Sequence, residues 1–180
     1  MEHVTRVMEI LARRRVPLGF IAGVIALGLA RPTPASLAAG FGVAVAGEAI
    51  RVWAAGHLEK GREVTQSGPY RWTAHPLYVG SSLLALGVVI AASSPVVAVV
   101  AALYMGATIT AAIRAEEAFL RNAFGDTYDR YRESRAEPMT RRFSLARARR
   151  NREYRAAVGL VVGFALLALK AYGLPWSAAT

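Results

Sequence analysis

At 180 residues the chain has the length of one domain, and its 54% hydrophobic and 19% charged residues, with a mean hydropathy of +0.33, are too apolar for an ordinary soluble domain. The 22 Lys and Arg against 12 Asp and Glu give a net charge of +10, which on a membrane protein reports topology rather than nucleic-acid binding. The absence of cysteine excludes disulfides, thiolate metal sites and a Cys nucleophile, and there is no Walker loop, no G-x-G-x-x-G after a strand and no zinc-ligand spacing among His3, His57 and His75.

Residues 1–15 place Val4, Val7, Met8, Ile10 and Leu11 at helical spacing among Arg6, Arg13, Arg14 and Arg15, which predicts an amphipathic helix on an anionic membrane face. The same stretch followed by the apolar run Val16–Ala30 has the layout of a signal peptide, although the run also serves as the first of a series of membrane helices. After the turn Arg31-Pro32-Thr33-Pro34, a second helix over 35–55 is rich in Ala and Gly, a composition that lets helices approach closely in lipid. Glu48 and Arg51 interrupt it at i, i+3, so they share a face. They are either a structural ion pair or a substrate site.

A polar loop over 57–76 ends in the stretch Ser67 to Gly80. Ser67-Gly68-Pro69 is a turn signal. The His75-Pro76 bond keeps His75 out of the α region and predicts a helix starting at Pro76. The first turn of that helix offers backbone N–H groups to a polar ligand. Two helices of about 16 to 19 residues, joined at Ser93-Ser94-Pro95, follow, each long enough at about 1.5 Å per residue to cross a hydrocarbon core. The fourth continues beyond the bilayer through Glu116 and Glu117 to a stop at Phe124-Gly125, where Asp126 is placed to cap a further short helix. A strongly basic stretch to Arg155 precedes a fifth apolar segment over 156–171, in which Lys170 is placed to snorkel to the interface.

Basic residues cluster before helix one, between helices two and three, and between helices four and five, where 12 Arg lie from position 114 to 155. The alternate loops hold only Arg31. The distribution predicts five membrane helices with the N-terminus and both large loops in the cytoplasm and the C-terminus outside. The expected fold is therefore all-α, a single polytopic membrane bundle with a cytoplasmic helical segment before the last span. Its parts are an N-terminal helix over 1–15, helices one and two over 16–56, a core over 57–143 and a fifth helix over 156–172.

The pairing of G-P-Y-R-(x)3-H-P-L-Y-V-G, from Gly68, with E-E-x-x-L-x-x-x-F-G-x-x-Y-x-x-Y, from Glu116, resembles the isoprenylcysteine carboxyl methyltransferase and phospholipid methyltransferase superfamily of integral membrane enzymes. The resemblance covers roughly residues 50–143. It implies S-adenosylmethionine as cofactor, held by Tyr70, Arg71, His75, Pro76, Tyr78 and Gly80 on one side and Glu116 and Glu117 on the other. Ala74 stands where the family usually has Arg, with Arg71 a cation in the same loop.

Aromatic faces such as Tyr70, Trp72 or Tyr78 suit a cationic methyl donor, and His75 or a glutamate suits removal of a proton from an amine or phenol. Arg114 or Arg51 suits positioning of a carboxylate acceptor, with Glu48 and Arg51 as the substrate pair. The expected activity is methyl transfer to a lipophilic acceptor, of the isoprenylcysteine carboxylate type or another small lipophile, with phospholipid N-methylation as the alternative. A non-enzymatic membrane transporter or assembly factor is the rival from another class. The expected partners are the bilayer and a lipophilic small molecule or lipid, with no metal and no nucleic acid.

Overall fold

Proline opens three of the apolar helices. Pro34, Pro76 and Pro95 each lie at the start of their helix, where a preset φ is already helical and the missing N–H is not needed. The computed structural model describes residues 2–137 and 139–173, with the side chains of 2–13, 15 and 16 outside the described set. The helices are α1 (Glu2–Leu29), α2 (Pro34–His57), α3 (Pro76–Ala92), α4 (Pro95–Phe124), α5 (Asp126–Arg132), α6 (Leu145–Arg150) and α7 (Tyr154–Tyr172), with a 3₁₀ turn over Gly68–Arg71. There is no strand among the described residues.

α2, α4 and α7 are long and apolar enough to cross a membrane, and only 17–28% of each spanning window is buried inside the protein. Large apolar side chains such as Phe20, Val24, Leu103 and Val161 are exposed along the helices, as expected where lipid is the solvent. Two further apolar helices, Pro17–Leu29 and Pro76–Ala92, are shorter. They pack on long ones, α3 on α2 and α1 on α4. The molecule is thus an all-helical membrane bundle, with five apolar helices of which three have full spanning length.

The boundaries differ from expectation at two places. α1 runs without a break through Pro17, so the N-terminal helix and the first apolar helix are one element. The amphipathic reading of 1–15 rests on side chains outside the described residues. The basic stretch before α7 contains a second short helix, α6, capped by Ser144 through Arg147 N–H. Pro138 also lies outside the described residues.

The α2–α3 hairpin is built on small residues. Gly40, Ala44 and Gly47 form a stripe on α2 that meets Gly80, Gly87 and Ala91 on α3. A Cβ at Gly47 would fall 2.6 Å from the Leu84 nitrogen, and one at Gly87 would fall 2.6 Å from the Ala44 nitrogen. Only glycine permits that approach. At the far end of the hairpin, Ala30, Leu37, Ala44, Ala91, Ala92, Val97, Phe164 and Leu167 form the buried apolar core. Thr33 and Ser36 make a reciprocal capping box at the start of α2, and Ser36 Oγ also donates to Ala91 O at 3.1 Å. Lys170 does not merely snorkel: its Nζ donates to Leu27 O and Gly28 O at 2.8 Å each, satisfying carbonyls at the end of α1.

Substitution of Gly87 by Val should lower stability by about 1–3 kcal/mol through overpacking against the α2 backbone. Gly42, on the open face of α2 with nothing within 4 Å of its Cβ position, should accept Val without such a loss. Melting temperatures of the two variants in detergent check this.

Candidate active site

At the end of the bundle opposite the apolar core, the last turns of α2 need acceptors' partners from elsewhere in the chain, because the final carbonyls of a helix have no intrahelical donor. The basic segment supplies them. Asn151 Nδ2 donates to Ala55 O and Leu58 O at 2.9 Å each. Arg147 Nη1 donates to Gly56 O, and Arg141 Nη1 to His57 O at 3.2 Å. The same arginines reach the following loop, Arg147 Nε to Glu59 at 2.7 Å and Arg141 Nη2 to Glu63 at 2.7 Å. Two of the 12 arginines in the 114–155 region, Arg141 and Arg147, are thus structural caps rather than free topology signals, and Arg150 joins Arg147 on Glu59.

The polar loop folds down on this platform. Ser67 Oγ lies 3.0 Å from His57 Nδ1, and Gly68 has a φ of +59, with His57 Cγ 2.6 Å from where a Cβ would be. Glycine is required there both by conformation and by space. Tyr131 Oη on α5 then donates to Tyr70 O at 2.7 Å, tying the loop to the helix that carries the second half of the motif.

Between these elements lies a cavity of about 850 Å³, lined among others by Tyr70, His75, Tyr78, Glu116, Tyr128 and Arg51. His75 has φ −131 and ψ 53 ahead of Pro76, the non-helical conformation predicted for it. Its Nε2 lies 3.3 Å from Glu117 Oε1, and its Nδ1 lies 3.7 Å from Glu116 Oε2, an ion-pair distance too long for a hydrogen bond. Burial pulls the His75 pKa down, and the contacts with Glu116 and Glu117 outweigh it, leaving it above the ordinary value of 6.5. Tyr70, Tyr128 and Tyr131 all have raised phenol pKa values because burial disfavours the phenolate. That of Tyr131 is pushed up to about 12. All three therefore remain O–H donors at neutral pH.

The structure brings together Tyr70, His75, Pro76, Tyr78 and Glu116 on the cavity wall. Glu117 stands behind His75, also 3.5 Å from Arg132. Other expected site residues lie elsewhere. Gly80 is packed into α2, its Cβ position 2.6 Å from Gly47 O and Arg51 Cγ, so it serves the hairpin. Arg71 is exposed and donates to Met139 O at 3.3 Å. Arg114 is exposed and off the cavity wall. Trp72 is 75% exposed and lies against Trp53, with ring centroids 5.5 Å apart. The N–H groups of Tyr78 and Val79 are taken by His75 O at 3.0 and 3.2 Å, so they are not free for a ligand. Asp126 does not cap α5, whose N-cap is Gly125, but pairs with Arg130.

The Glu48–Arg51 pair forms, with Nε to Oε2 at 3.5 Å, but Arg51 has a nearer partner in Glu153, at 2.6 Å from Nη2. Glu153 and Glu48 are each 7% exposed. Glu153 and Tyr128, which is fully buried, are cavity residues that sequence reasoning missed. Tyr128 stood in the quoted two-part motif without a role, whereas a lone Glu beside seven arginines in 141–155 carries no local signal. Among the described residues, no group of three His, Cys, Asp or Glu is placed to hold a metal ion.

Residues 48–127 match the family model described as phospholipid methyltransferase. No curated protein and no solved structure matches the chain significantly. The matched segment contains both halves of the cavity wall; the match supports a membrane methyltransferase in general and does not favour the transporter or assembly-factor reading.

The raised His75 pKa has a signed consequence for stability. The protonated form is favoured in the folded protein, so its contribution is fully present below about pH 6.5 and is lost as pH rises through the higher folded value. The melting-temperature difference between the parent and His75→Gln should therefore be larger near about pH 6 than near about pH 9. A thermal-melt series across that range in one detergent measures it.

Proposed function

We propose, from a chain whose residues 48–127 carry the phospholipid methyltransferase segment, that the protein transfers a methyl group from S-adenosylmethionine to a lipophilic acceptor entering from the bilayer. The observation that carries the reading is the single cavity wall on which His75 and Glu116, 41 positions apart in sequence, lie 3.7 Å from each other. The volume, about 850 Å³, falls in the range of small-molecule sites, roughly 300–1,000 Å³. Two buried polar atoms on this wall, His75 Nδ1 and Tyr128 Oη, have no hydrogen-bond partner, which fits a site completed by a polar ligand.

When bound, S-adenosylmethionine supplies an electrophilic methyl group on a cationic centre. On the protein side, Tyr70 and Tyr78 offer ring faces that attract a cation, Glu116 offers a carboxylate for an ammonium, and Tyr128 offers an O–H donor. His75, with its raised pKa, is more protonated at neutral pH than an ordinary histidine. It acts as a donor that orders Glu116 and Glu117 rather than as the general base. Alignment of the reactants and exclusion of water by the enclosing helices carry most of the remaining work.

The proposed orientation places the N-terminus, the 58–75 loop and the α5–α6 segment in the cytoplasm, where the cofactor is, and the C-terminus on the other side. Reporters inserted at Ser134 and fused after Thr180 should give opposite signals.

Calorimetric titration with S-adenosylhomocysteine in detergent tests the site. The parent should bind. Glu116→Gln, which alters the wall itself, should weaken binding by about 1.5–3 kcal/mol, the size of one charge-assisted contact, and by more than Glu117→Gln. Variants that bind like the parent would place the cofactor elsewhere.

A further inference from the structure

The corner between α6 and α7 carries charge that nothing else in the described protein neutralises. Seven arginines lie in 141–155 with one glutamate. Arg141 is taken by Glu63, Arg147 and Arg150 by Glu59, and Glu153 by Arg51. Arg142, Arg149, Arg152 and Arg155 are exposed, and their side chains have no hydrogen bond or ion pair among the described residues. The last three stand on consecutive turns, since Arg152 N–H donates to Arg149 O at 3.0 Å and Arg155 N–H to Arg152 O at 3.1 Å. Like charges brought together on adjacent turns repel one another.

Arg152 is held at a further cost. Its φ is +60, in the left-handed region, where a residue with a Cβ is strained and glycine is not. Among the described residues, no contact of its guanidinium offsets that strain. The setting says what can. α7 is long and apolar enough to cross a membrane, and no basic residue follows Arg155 until Lys170, so the three guanidinium groups stand where that helix enters the bilayer, at head-group depth. Apolar side chains accompany them. Leu145 shares a face of α6 with Arg149, Val158 shares one of α7 with Arg155, and both are exposed.

We propose that this corner binds the head group of an anionic phospholipid of the bilayer, the phosphate oxygens accepting from Arg149, Arg152 and Arg155 while the acyl chains run along the exposed Val158 and Val162 of α7. Guanidinium and phosphate make charge-assisted, bidentate hydrogen bonds, and an anionic membrane surface attracts each basic side chain beside it. A zwitterionic head group brings its own cation to the three arginines and is the poorer fit. A soluble polyanion would leave the apolar rim uncovered. The bound lipid also has a structural consequence. Asn151 and Glu153 alternate with these arginines on the same turn and hold Ala55 O, Leu58 O and Arg51. A lipid that fixes the turn from outside therefore steadies the cap on α2, and the anionic lipid content of the membrane acts on the bundle at this point.

Spin-labelled phosphatidylglycerol and spin-labelled phosphatidylcholine, compared in phosphatidylcholine bilayers that hold the full chain, test the site through the share of each lipid that the protein immobilises. The parent should favour phosphatidylglycerol. Replacing Arg149, Arg152 and Arg155 together by Gln should lower that preference by at least about five-fold, the contribution of one basic side chain at an anionic surface. A control removes the same charge from arginines already paired with acids, Arg121, Arg130 and Arg135, and should lower it by less than about two-fold. Equal losses in the two variants would show attraction by net charge only and overturn the proposal, as would a parent without preference. Arg152→Gly relieves the strained φ, so it should melt no lower than the parent in phosphatidylcholine and still lose preference. Added phosphatidylglycerol should raise the melting temperature of the parent more than that of Arg152→Gly. An unchanged preference or an equal rise in that variant would overturn the proposal, and these two readouts decide it if the triple variant does not fold. Glycerol phosphate in solution should not displace the labelled lipid; displacement would make this a site for soluble anions and overturn the lipid assignment.

Discussion

The unsatisfied carbonyls at the end of α2 are the constraint on which the site depends. A helix that ends among other protein elements must find donors for its last turn, and here Ala55, Gly56, His57 and Leu58 find them in Asn151, Arg147 and Arg141, more than 80 positions later. Capping in this manner does more than finish the helix. It holds the basic segment across the bundle end, and α7 begins immediately after it at Tyr154. Glu153 is thereby delivered to Arg51, and Phe143 to the side of α2 that carries Glu48.

Close packing and polar chemistry are coupled along the same pair of helices. Gly47 and Gly80 let α2 and α3 approach until the Arg51 stem fills the space that a side chain at position 80 would occupy. This contact directs the guanidinium toward Ser81 and Glu153. A bulkier residue at position 80 would shift Arg51, and with it the ion pairs to Glu48 and Glu153. In a bilayer, where apolar burial adds little to helix association, such small-residue contacts and interhelical polar contacts are the available means of fixing geometry.

The cavity wall is tense in an electrostatic sense. His75 is held by two carboxylates against the cost of its burial, three phenols are kept protonated by theirs, and His75 Nδ1 and Tyr128 Oη lack hydrogen-bond partners. A protein with no ligand to bind would more commonly fill such positions with apolar side chains. The concentration of orphaned groups in one cavity, at the end of the bundle that carries both motifs, is what gives the family match a physical location.

Much of this was legible from local pattern. Pro76 and Pro95 mark helix starts, Phe124-Gly125 marks a stop, and the apolar runs mark the bundle, because each signal acts within one or two helical turns of the residue that carries it. The two-part motif likewise pointed to the wall formed by Tyr70, His75 and Glu116. Contacts between distant segments decided what sequence alone could not place. Gly80 belongs to the helix hairpin, Arg71 and Arg114 lie off the cavity, and Trp72 pairs with Trp53. Glu153 joins Arg51 across 102 positions, and the arginines that read as a topology signal turn out in part to be caps. Charge and composition determine that a basic segment stays on one side of a membrane, since every arginine there contributes alike. Which arginine caps a carbonyl, and which glutamate reaches Arg51, depends on packing directions that exist only once the helices are assembled.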